Sequence, residues 1–189
     1  MSSRRDPTAS RSTVSHSTAS DSTASDSTEA EPRAIAVIDI DGVLADVRHR
    51  LKYLEQRPKN WGAFFRAAPK DPPLRTGLET VARLAEVCEI VYLSGRPEHC
   101  RRDTVEWFER HGLPQGELHL RPHNDFRPAR QFKVQVLRRL ARRAPVAVLV
   151  DDDDAVLASA RDAGFDVLPA TWMGDAPVLQ EAQEDEGRT

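Results

Sequence analysis

Cysteine is nearly absent: the 189 residues include only Cys88 and Cys100. Two cysteines make neither a disulfide framework nor a zinc ligand set, and they suit a reduced, cytoplasmic protein. Long apolar runs are missing too. No stretch reaches the roughly 18 residues of a membrane span, so no membrane partner is expected. Nothing apolar precedes Ile35 that would serve as a secretory signal. Charge of one sign is not in large excess: 27 Lys and Arg against 30 Asp and Glu leave a net charge of −3. That balance gives no general drive toward nucleic acid and leaves room for a local basic patch only. The histidines show no metal-ligand spacing, and no Gly-x-x-x-x-Gly-Lys-Ser/Thr phosphate loop occurs, so a nucleotide site of that type is not expected in this sequence.

What the chain does have is Ile35-Ala36-Val37-Ile38-Asp39-Ile40-Asp41-Gly42, an apolar run ending in two aspartates one residue apart. Such a run reads as a strand buried on both faces, in the middle of a parallel sheet. Residues i and i+2 of a strand point the same way about 6.5–7 Å apart, so Asp39 and Asp41 can face one small volume. At an effective dielectric near 20 their charges repel by roughly 2–3 kcal/mol, which a nearby cation would offset.

The remaining pattern alternates helix and strand. Residues 1–32 are almost entirely Ser, Thr, Ala, Asp and Arg, a composition that cannot offset its own ordering entropy, and a disordered tail is expected. Residues 33–173 read as one domain with a small helical insert over 45–73, whose basic side chains should lie over the aspartates. A helix capped by Thr76 leads to a strand that stops at Ser94-Gly95-Arg96-Pro97. The next helix closes at Gly112. A short strand, a helix from Ala129 to Arg143 carrying Lys133, and a second wholly apolar strand follow. That strand, Val146–Val150, runs into Asp151-Asp152-Asp153-Asp154. From Gly174 the acidic segment 174–189 shows no periodicity and is expected to be disordered. This order predicts an α/β fold, a doubly wound Rossmann-like parallel sheet, which binds ligands outside the carboxyl ends of its strands.

Three strand ends therefore gather Asp39 and Asp41, Ser94 with Gly95 and Arg96, and Asp151 with Asp152, while Lys133 can join from its helix. Hard oxygen ligands from two strands suit Mg2+. Ser94, the amides after it, Arg96 and Lys133 suit the oxygens of a phosphate. Asp153 and Asp154 fit better as caps of the following helix.

This set resembles the haloacid dehalogenase superfamily of phosphohydrolases, whose pattern is an apolar strand ending Asp-x-Asp-Gly, a second ending in Ser or Thr, a Lys, and a third ending in two acids. The resemblance implies that Asp39 is the nucleophile and a metal ligand, that Asp41 handles protons and offers its backbone carbonyl to Mg2+, and that Asp151 and Asp152 bind the metal, Asp152 the more directly. It implies that Lys133 holds the nucleophile and phosphate. Ser94-Gly95-Arg96 with an Arg-rich helix, and Trp172 after the last strand, are similar to the 3′-phosphatase domain of polynucleotide kinase. In that comparison Arg96 contacts substrate phosphate, and Arg101, Arg102, Arg121, Arg127 and Arg130 are candidates to line a nucleic-acid path. His123, near the active edge, and Trp61 and Trp172, as stacking surfaces, are further candidates. The expected partner is a phosphorylated substrate, with nucleic acid 3′ ends as one class. A small-molecule phosphatase and a catalytically silent binding module stay open as alternatives.

Overall fold

The computed structural model describes residues 33–174 and 176–186. The expected disordered tail at 1–32 lies outside the described residues. Five strands form one parallel sheet in the order β3-β2-β1-β4-β5: β1 (Ile35–Ile38), β2 (Glu89–Pro97), β3 (Glu117–Arg121), β4 (Val146–Asp151) and β5 (Val167–Pro169). Central β1 is buried throughout, which explains its unbroken apolar sequence.

Alternation along β1 sorts the two cores. Ala36 and Ile38 pack with α3 (Arg75–Val87) and α4 (Arg101–His111), whereas Ile35 and Val37 pack with α5 (Ala129–Leu140) and α6 (Asp154–Asp162). From β1 the chain builds outward through β2 and β3, then crosses to the other side of β1 for β4 and β5. The strand order thus reverses between β1 and β4, and a crevice opens at such a point beyond the strands' carboxyl ends. Asp39 and Asp151 lie at those ends.

Between β1 and α3 runs the helical insert, with α1 (Lys52–Glu55) and α2 (Trp61–Ala67). Asn60 caps α2 by accepting from the Ala63 amide at 2.9 Å. Two expectations need correction. Thr76 lies inside α3, whose N-cap is Leu74 with no side-chain cap. The segment expected to be a disordered acidic tail instead forms α7 (Pro177–Glu186). Ala176, Leu179 and Ala182 recur every third residue, and all three are buried against Val47, Leu54, Phe64 and Phe65 of the insert region. Burying a Leu side chain contributes about 2 kcal/mol, so the apolar stripe outweighs the acids that dominate the composition.

Candidate active site

The parity that sends Ile35 and Val37 toward α5 sends Asp39 the same way, and there it meets Lys133. Lys133 Nζ lies 2.7 Å from Asp151 Oδ2 and 3.1 Å from Asp39 Oδ1, and all three side chains are buried. Asp39, Asp151 and Asp152 each bring a carboxylate oxygen within 4.8 Å of the others. The Asp41 carboxylate is not in this group.

One lysine against three carboxylates leaves negative charge uncompensated. Burial pushes the Asp39 carboxyl up to about 8; Lys133 opposes that rise, and Asp151 and Asp41 add to it. Asp152 is raised well above the ordinary carboxylate range by burial and by the charges of Asp39 and Asp151. Lys133 would lose charge through burial, but Asp151 and Asp39 overcome this and hold it firmly protonated. Oδ1 of Asp152 is buried without a hydrogen bond, and Oδ1 of Asp39 makes none either, with Lys133 Nζ 3.1 Å away as its ion-pair partner. Three carboxylates sharing one lysine at this spacing fit a small divalent cation with hard-oxygen preference. Asp153 caps α6 as expected, its Oδ1 accepting from the amides of Ala155 at 2.8 Å and Val156 at 3.2 Å.

Asp41 belongs to a second, cationic group. Its Oδ1 accepts from Arg50 Nη2 at 2.7 Å and from Arg96 at 2.9 Å (Nε) and 2.5 Å (Nη2). Both guanidinium groups also reach Asp71 Oδ2, Arg50 at 2.7 Å and Arg96 at 3.1 Å. His49 Nε2 lies 2.7 Å from the other oxygen of Asp71. Burial alone would raise the Asp41 carboxyl; Arg50 and Arg96 reverse that and hold it below the ordinary range. Oδ2 of Asp41 is buried without a partner.

Arg96, read from sequence as a contact for substrate phosphate, is therefore engaged with Asp41 and Asp71, while Ser94 Oγ accepts from its backbone amide at 3.2 Å. Sequence reasoning missed Arg50 and Asp71. Arg50 is one of several basic residues in the insert, and only the Phe64 ring, 4.0 Å from its guanidinium, marks it as the buried one. Gly95 is buried beside Ser94.

Several proposed nucleic-acid contacts find intramolecular partners instead. Arg101 pairs with Glu98, Arg102 with Glu106 at 2.8 Å, Arg127 with Asp125 at 2.5 Å and Arg130 with Glu184 at 2.8 Å. Trp172 donates from Nε1 to the Val43 carbonyl at 2.8 Å and so serves packing, while Trp61 stacks on Phe65 at 5.8 Å.

Comparison with known proteins decides the family. The sequence profile of the polynucleotide kinase PNKP phosphatase domain matches residues 32–171. The chain belongs to this family of haloacid dehalogenase-type phosphatases. No curated protein sequence matches it. Its fold is similar to a chain in the structure of the Pnkp1/Rnl/Hen1 RNA repair complex, with a TM-score of 0.60 and 20% identity over 74% of this chain and 42% of that one. This chain thus spans less than half the length of that relative. It is also similar to a haloacid dehalogenase-like hydrolase of Streptococcus pneumoniae, with a TM-score of 0.53 and 12% identity over 81% and 92% of the two chains. The magnesium-bound haloacid dehalogenase-type hydrolase YfnB of Bacillus subtilis gives a TM-score of 0.50 and 9% identity over 72% and 88%. No helix among the described residues is long and apolar enough to cross a membrane.

Proposed function

We propose that this phosphatase removes the 3′-phosphate from polynucleotide ends, with Mg2+ and through an aspartyl-phosphate on Asp39. The observation that carries this reading is the division of the strand ends into an acidic cluster around Asp39 and an arginine-held Asp41 whose Oδ2 has no partner.

Asp39, Asp151 and Asp152 would hold the metal. Bound magnesium supplies positive charge that keeps Asp39 ionised and offsets charge on the phosphoryl oxygens. In the first step an Asp39 oxygen bonds to phosphorus as the bond to the 3′ oxygen breaks. Arg50 and Arg96 both occupy Oδ1 of Asp41, which leaves Oδ2 to carry the proton delivered to that oxygen. The two arginines disfavour a protonated Asp41, and the negative charge of arriving phosphate raises its proton affinity. In the second step Asp41 takes a proton from water as the water oxygen bonds to phosphorus, releasing phosphate and restoring Asp39. Lys133 stays cationic throughout and offsets charge gathering on the phosphoryl group.

Family membership supports a polynucleotide substrate, and the two unpaired cysteines agree with a cytoplasmic setting. The test compares 3′-phosphorylated oligonucleotides with 5′-phosphorylated ones, 3′-mononucleotides and sugar phosphates in Mg2+. The 3′-phosphorylated oligonucleotide should be preferred, with a rate that falls as salt rises. Asp39→Asn should lower turnover by about 10³-fold or more. Equal rates on all phosphomonoesters would assign the enzyme to small molecules instead.

A further inference from the structure

A cavity of about 320 Å³ lies between α2, the segment after Ser94, and the loop joining β3 to α5. It is separate from the acidic cluster, yet Gly95 forms part of its wall, between Ser94 and the Arg96 that holds Asp41. Its size is at the lower end of the range for small-ligand sites. Trp61 and Phe65 supply aromatic surface from one side and Phe126 from the other. Phe126 is 61% exposed.

Arg121 also lines the cavity and is only 3% exposed. Its Nη1 donates to the Arg127 carbonyl at 2.8 Å and lies 3.6 Å from Asp125, and its guanidinium sits 4.7 Å from the Phe132 ring. Nε and Nη2 are buried without a hydrogen bond. These two N–H groups form one edge of the guanidinium, the fork that meets paired acceptors. Leaving both unsatisfied is costly, so a ligand presenting acceptors there gains from the contact. Burial pushes the Arg121 group down to about 10, against the opposing pull of Asp125.

We infer that this cavity receives the base of the 3′-terminal nucleotide, lying against the aromatic walls with its acceptor edge toward Arg121. The inference rests on the polynucleotide reading above. Asp125, which also lines the cavity, disfavours a phosphate there and accepts from a base's amino or imino groups. Aromatic faces hold any base by stacking, while paired acceptors such as O6 and N7 of guanine suit the Arg121 fork best.

The test uses 3′-phosphorylated oligonucleotides that carry 2-aminopurine at the last or the second-last position, with the Asp39→Asn protein. Binding should quench the terminal probe strongly and the penultimate one little, and Phe126→Ala should weaken the terminal quench. Equal quenching at both positions, or a terminal quench indifferent to Phe126→Ala, overturns the inference. With active enzyme, an abasic terminal residue should lower kcat/KM about tenfold or more. Arg121→Lys should shrink that ratio and narrow any preference for guanine. If base-bearing and abasic ends react alike while both outpace small phosphomonoesters, the base site fails and the polynucleotide reading stands. If binding quenches the terminal probe but oligonucleotides gain no rate over small substrates, the reverse holds.

Discussion

A Cβ atom at Gly42 would stand 1.9 Å from Oδ2 of Asp152, so the glycine's bare backbone fits directly against that carboxylate. Gly42 also has φ +82°, a conformation that side-chain-bearing residues rarely adopt. Gly42→Ala must therefore displace Asp152 or the turn. The expected outcome is a folded protein that needs at least about tenfold more Mg2+ for half-maximal activity, since a shifted carboxylate typically weakens metal affinity by about 10–100-fold. Magnesium titration of phosphatase activity checks this, and an unchanged requirement would remove Asp152 from the metal site.

Arg50 is fully buried and joins Asp41 to Asp71. Removing one partner of a buried ion pair leaves a bare charge behind, at a cost of about 3–5 kcal/mol. Arg50→Ala should thus unfold at clearly lower urea concentration than the wild type. Asp71→Asn, which retains a hydrogen-bonding side chain, should be milder. Urea melts of the two variants and the double variant provide the comparison, and additive effects would show that the pair is not coupled.

The acidic cluster sets a pH dependence whose sign follows from Asp39. Its carboxyl moves from 3.8 up to about 8 on folding without metal, because burial penalises the charge. A raised pKa contributes stability that is full below 3.8 and is lost as pH rises through about 8. Metal-free protein should accordingly lose Tm between about pH 4 and 8 in EDTA. Mg2+ held by these residues would require the ionised carboxylates, so adding it should restore Tm most at the alkaline end. Asp39→Asn should flatten the EDTA profile, which thermal melts across pH will reveal.

Gln180 of α7 donates from Nε2 to the backbone carbonyl of Asp152 at 3.1 Å. The side chain steadies the backbone that carries a candidate metal ligand. Gln180→Ala should raise the Mg2+ requirement a few-fold and lower unfolding stability by only about 1 kcal/mol, the worth of one ordinary hydrogen bond. Isothermal titration with Mg2+ separates this from a general loss of stability.

The strands and their terminal acids were legible in the sequence because a doubly covered strand must be apolar along its whole length, and the first polar residue then marks its end. Asp39, Asp151 and Lys133 meet where that logic put them. Arg50 was not legible, because Arg48, His49, Arg50 and Lys52 carry the same kind of charge and only tertiary packing chooses which one is enclosed. Asp71 was hidden in a proline-rich stretch that reads as a linker. The α7 helix was missed because Glu181, Glu184, Asp185 and Glu186 mask a stripe of three small or medium apolar residues. Its spacing, Ala176, Leu179 and Ala182, was the available signal.

The region shared with the family ends at residue 171, but the apolar side of the insert is sealed by Met173, Ala176, Leu179 and Ala182 beyond that limit. A fragment trimmed to the shared boundary would bare Val47, Leu54 and the aromatic side chains of α2 to water and become sticky. The folded unit of this chain therefore runs past residue 171 and takes in α7.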